Sequence, residues 1–171
     1  MMKTILSCFL MGISIVSFAQ EKVSPSNFFS IEGKVKSAYR FSLDSSSKFN
    51  TVIVDSAVIT NHLREKRRTL KNLKGILLKD ILNKAEFDAP NVKLLSEYYI
   101  TCVATDNYKA VFSWNEIFNT ETGNHAMIVV EENGKKNTEM EGRIALLVPS
   151  DEATGRRFVK GLQKIIVARV Q

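Results

Sequence analysis

Short alternating runs of apolar and polar residues dominate this chain, and only one stretch has helical spacing. Phe28–Val35 alternates and opens the fold as a strand, and Tyr39–Leu43 follows as a second, stopped by Asp44-Ser45-Ser46-Ser47. Phe49–Thr60 is rich in β-branched residues and predicts a third strand. In Gly75–Ala85, Leu78, Ile81, Leu82 and Ala85 fall on one helical face, so a helix is expected there. Residues 91–95 read as a loop or short turn. Tyr98–Ala104 and Tyr108–Phe112 predict two strands with a turn at Asp106-Asn107. Ser113-Trp114-Asn115-Glu116 has the form of a capping box, with Phe112 and Ile117 placed as a hydrophobic staple. Ala126–Glu131, an Asn133-Gly134 turn, Ile144–Val148 and a closing Lys164–Val167 complete the strands. Strands joined by short turns, with one good helix and one short one, predict an α+β domain with mixed or antiparallel pairing.

The first residues follow another pattern. Lys3 gives a positive start, Ile5–Val16 carries no charge, and Ser17-Phe18-Ala19 places small residues where a signal peptidase cuts. The expected division is a signal peptide over 1–19, a flexible leader over 20–28 and one domain over 29–171. This makes the protein exported, hence periplasmic, with no membrane span once the signal is removed. Cys8 lies too near the start for a lipoprotein signal. Only Cys102 then remains, so no internal disulfide is possible, and its place in a strand predicts a buried, inert thiol.

The whole chain has 24 Lys+Arg against 18 Asp+Glu. Many of the cations crowd into His62–Lys74. Nucleic acid is a poor partner for such a run in an exported protein, and no aromatic residue is interleaved to stack on bases. A solvated loop, or a rim that draws an anionic protein partner to residues 64–74, is expected instead. Near the end, Gly155-Arg156-Arg157-Phe158-Val159-Lys160 offers a guanidinium fork and a point charge just after a glycine, a pattern suited to a phosphate. The same pattern also fits solvated surface charges. His62 and His125 are far apart and neither has a second ligand at metal spacing. No phosphate-cradling glycine loop is present.

The order of these segments resembles the oxidoreductase molybdopterin-binding domain, the pterin-binding core of sulfite-oxidase-like enzymes. The resemblance runs from about Phe29 to Val170. Ile31–Val35 is similar to the opening strand of that family. Lys74–Leu82 is similar to its W-x-G-V-x-L-x-D-L-L segment, with Lys74 in place of the aromatic residue. Tyr99–Val103 with Asp106–Ser113 resembles V-x-x-A-x-D-G-Y-x-A-x-F-S. Ile128–Glu131 with Gly134 resembles L-L-A-Y-x-x-N-G, Gly142–Pro149 resembles G-P-L-R-L-V-V-P, and Arg157–Lys160 resembles R-x-V-K. The resemblance implies a β-rich sulfite-oxidase-like fold, molybdopterin as cofactor, and Arg157, Lys160 and Arg156 as contacts to the pterin or a related anionic ligand. It also implies a molybdenum-ligating cysteine near Val58–His62, where none stands. Thr60, Asn61 or His62 would have to act there, and none is the soft thiolate that position uses. Three functions follow as expectations: a pterin or anion binder without ordinary molybdenum chemistry, a molybdoenzyme with an atypical ligand, or a noncatalytic protein-binding module.

Overall fold

The computed structural model describes residues 22–171, so the expected signal peptide lies outside the described residues. The fold is α+β and β-rich, with short helices. In chain order come β1 (Phe28–Gly33), β2 (Tyr39–Ser42), β3 (Val52–Thr60), β4 (Lys66–Leu77), α1 (Leu78–Leu82), β5 (Tyr98–Ala104), β6 (Lys109–Ser113), α2 (Trp114–Phe118), α3 (Glu121–His125), β7 (Met127–Glu132), β8 (Lys135–Lys136), β9 (Ala145–Leu147), β10 (Val159–Lys160) and β11 (Leu162–Arg169). Single turns of 3-10 helix lie between them, among them Thr154–Arg157.

Two sheets result. One is ordered β2-β1-β11-β5-β6, with β1 and β11 parallel and the other neighbours antiparallel. The second is ordered β10-β9-β7-β4-β3, with β8 beside β7. Side chains alternate across the second sheet, as the strand repeat of two requires. Ile128 and Leu146 join the main core with Ile31, Ile100 and Ile165 of the first sheet. Their neighbours Met127, Val129, Ala145 and Leu147 face the other way and form a second core with Leu70 and Leu73, closed by Met140 and Phe158.

Three expectations need correction. The basic run is not a loop: Lys66–Lys74 lies within the 12-residue strand β4. Gly75–Leu77 continue that strand, so the helix shrinks to Leu78–Leu82. The physical reason is visible at Asn72, whose φ of 50° is left-handed. That residue resets the pleat, so Leu70 and Leu73 both point into the second core. Lastly, the second half of the leader is held to the body. The Ser26 N–H donates to the Gly142 carbonyl at 3.0 Å and the Ser24 N–H to Thr105 Oγ1 at 3.0 Å.

Local chemistry behaves as the residues dictate elsewhere. Ser113 Oγ accepts from the Glu116 N–H at 3.1 Å, and Glu116 Oε2 accepts from the Ser113 N–H at 2.8 Å, a complete capping box on α2. Cys102 is fully buried between Ile165 and Ala110 on neighbouring strands, and burial pushes its thiol up to about 12.

Candidate functional site

β3 and β4 form a long antiparallel hairpin whose tip is Asn61–Glu65. Asn61 shapes the tip: its Oδ1 accepts from the Leu63 and Glu65 N–H groups at 2.9 and 3.0 Å, and its Nδ2 donates to Glu65 Oε2 at 2.8 Å. The tip is docked onto the turn Thr154–Arg157, which follows it by more than ninety positions. Thr154 Oγ1 accepts from the Thr60 N–H at 3.0 Å and donates to the Val58 carbonyl at 2.7 Å. Arg156 Nη2 donates to the His62 carbonyl at 2.8 Å. Gly155 packs on the Thr60 backbone so closely that a Cβ there would overlap the carbonyl oxygen. A glycine is therefore needed for this approach of two backbones.

A hollow of about 230 Å³ lies beside this junction, lined by Val23, His62, Asp106, Tyr108, Gly155, Phe158 and Lys160. It brings together His62 and Lys160, which come from the two segments singled out in the sequence. Asp106, Tyr108 and Phe158 are additions that sequence reading missed. The signals for Tyr108 were its place after the Asp106-Asn107 turn and at the tyrosine of the segment resembling D-G-Y-x-A-x-F-S. The Tyr108 hydroxyl donates to the Arg156 carbonyl at 2.5 Å and so fixes the wall of the hollow. Burial pushes that phenol up, Arg156 opposes the shift, and Asp106 adds to it.

The cations of the closing segment have different partners. Lys160 Nζ donates to Glu141 Oε2 at 2.6 Å. That hydrogen bond, with the Lys160 charge, holds the Glu141 carboxyl below its ordinary range. Arg157 does not line the hollow. Its fork is bidentate on Asp151, with Nε to Oδ2 at 2.7 Å and Nη2 to Oδ1 at 2.5 Å, and Nη1 reaches Glu116 Oε1 at 2.8 Å. Its guanidinium carbon sits 4.7 Å from the Phe112 ring centroid. These contacts, led by the Asp151 hydrogen bonds, raise the Arg157 pKa and clamp the 150–157 loop to the α2 cap.

The residues near the hairpin tip do not fit molybdenum. Thr60 stands where the resemblance places a thiolate, and its Oγ1 is buried without a hydrogen-bond partner. The Asn61 amide is engaged within the tip, and Cys102 is enclosed in the core. Among the described residues no group of three His, Cys, Asp or Glu side chains is placed to hold a metal ion. The hollow itself carries both signs of charge, with Lys160, already paired with Glu141, and Asp106 in its lining.

No protein-family model matches the chain, and no curated protein sequence does. Among solved structures, the fold is similar to that of the sulfane dehydrogenase SoxCD from Paracoccus pantotrophus, with a TM-score of 0.66 and 14% identity. The likeness covers 85% of this chain and 40% of that one, so this chain spans well under half the length of the structure it resembles. It shows a shared fold, at a sequence distance where side-chain roles do not transfer.

Proposed function

We propose that this is an exported protein that keeps the molybdopterin-domain fold, binds a pterin phosphate or similar anionic ligand beside His62 and Lys160, and performs no molybdenum redox chemistry. The observation that carries the reading is convergence. Two segments that the family resemblance ties to the cofactor, Thr60–His62 and Arg156–Lys160, meet at one hollow. Lys160 supplies the charge and the His62 ring a polar wall. Arg156 holds the His62 backbone, and Arg157 positions the turn from behind. The fold shared with a sulfane dehydrogenase supports the ligand class, and the lack of a cysteine in Val58–His62 supports the loss of metal chemistry.

The test is cofactor extraction and metal analysis on protein purified from its own cell envelope. Pterin without stoichiometric molybdenum is the expected result. Stoichiometric molybdenum with redox turnover would overturn the non-redox half. A Lys160→Ala variant that retains pterin at full occupancy would overturn the site.

A second reading is a module that docks an acidic partner through residues 64–74. One observation favours it: the exposed Lys66, Lys71 and Lys74 side chains have no ion-pair partner among the described residues, whereas Arg64 and Arg67 pair with Glu152 and Glu65. Salt-sensitive binding to an acidic protein, with no pterin bound, is what this reading expects.

A further inference from the structure

We infer that the free edge of β3 over Val52–Ser56 takes up an extended acidic segment of a partner protein as an added β-strand. The inference rests on the second reading above and specifies how the partner is held. β3 is the last strand of its sheet and pairs only with β4. Its far end is already closed, because Thr154 uses the Val58 carbonyl and the Thr60 N–H. Over Val52–Ser56, no backbone hydrogen bond to anything but β4 exists among the described residues. A strand edge with unpaired N–H and C=O groups is a template for another strand, and proteins ordinarily blunt it with a cover, a bulge or a proline. None of these covers the five residues here.

The side chains beside the edge select the occupant. Ile53 is 75% exposed and lies directly across from Lys74, and Ser56 lies across from Lys71. Lys66 and Arg67 extend the same hairpin toward its tip. Asp55 is the one exposed carboxylate within the edge segment. An incoming strand would lie one strand beyond Lys71 and Lys74, roughly 10 Å from β4, so long glutamate side chains set over Ile53 and Ser56, away from Asp55, would reach toward those lysines and cover Ile53. A second copy of this chain is a worse fit. Pairing β3 with β3 would bring Lys71 and Lys74 no carboxylate but Asp55 and would set the Asp55 side chains of both copies on adjacent strands.

The probe is an end-blocked seven-residue peptide alternating glutamate and valine, titrated into the full protein and followed by amide NMR shifts and hydrogen exchange. Its lysine–valine counterpart is the control. Slowed exchange at Val52–Ser56, binding to the glutamate peptide alone, and an affinity about tenfold weaker in Lys71→Glu/Lys74→Glu are expected. Both lysines are exposed strand residues, so that variant folds. Should charge reversal abolish binding while the Val52–Ser56 amides stay unmoved, the basic docking surface stands and the edge pairing is overturned. Should the lysine–valine peptide bind as well, or the same amides become protected by self-association without peptide, the acidic occupant is overturned. His62→Ala and Lys160→Ala leave this binding unchanged, which separates it from the hollow.

Discussion

Gly155 lies against the Thr60 carbonyl with no room for a side chain, so one hydrogen atom sets how closely the Thr154–Arg157 turn seats on the β3–β4 hairpin. Gly155→Ala must push two backbones apart. The expected loss is about 1–3 kcal/mol of stability, read as a lower melting temperature. Ligand binding at the hollow should weaken with it. An unchanged melting temperature would show that the turn is not seated there.

The Arg157–Asp151–Glu116 cluster links the closing loop to the α2 cap. Arg157→Ala leaves the well-shielded Asp151 carboxylate without its fork, at an expected cost of about 3 kcal/mol. The raised Arg157 pKa sets the pH behaviour. A cation with a raised pKa contributes fully below its unfolded value and loses that contribution only as pH rises through the folded value. Its contribution should therefore stay constant up to strongly alkaline pH, as denaturant midpoints of wild type and variant across pH 6–9 would check.

Cys102 titrates near 12 in the fold against 9.0 ordinarily. The unfolded chain releases this proton first, so stability is intact below about pH 9 and falls as pH climbs toward 12. In native protein at pH 8, a thiol reagent should leave Cys102 unmodified, and denaturant should expose it. Rapid native labelling would contradict its burial.

Glu141 competes with any anion for Lys160. Its pKa is lowered, so the pairing exists above the ordinary carboxyl range and is lost as pH falls through the lowered value. Glu141→Gln should tighten anion binding at the hollow about two- to fivefold near neutral pH. Acidification should narrow the gap between variant and wild type. Calorimetric titration with inorganic phosphate measures both.

Much of the architecture was legible because its signals are local. The Ser113–Glu116 box needs only four residues, and the alternation of Phe28–Gly33 repeats every two. β4 misled for the opposite reason: its crowd of cations reads as a solvated loop, and only the left-handed Asn72 lets both Leu70 and Leu73 reach one core from a strand. The phosphate-like cation pattern was visible as composition but not as geometry. Nothing near Arg157 in sequence announces Glu116, forty-one positions away, or tells that Lys160 faces Glu141. The meeting of His62 with Lys160 is likewise a product of the hairpin's length and the docking of Thr154, which no periodicity reports.

β11 sits in the middle of its sheet, parallel to β1 on one side and antiparallel to β5 on the other. Until that last strand emerges, β2–β1 and β5–β6 are two separate hairpins with no shared backbone bonds. Assembly of this sheet must wait until β11 has been made, and pairing between strands as distant in sequence as β1 and β11 makes it slow. Until residues 162–169 are made, a nascent chain is thus kept loose by its own topology, and this sheet closes late.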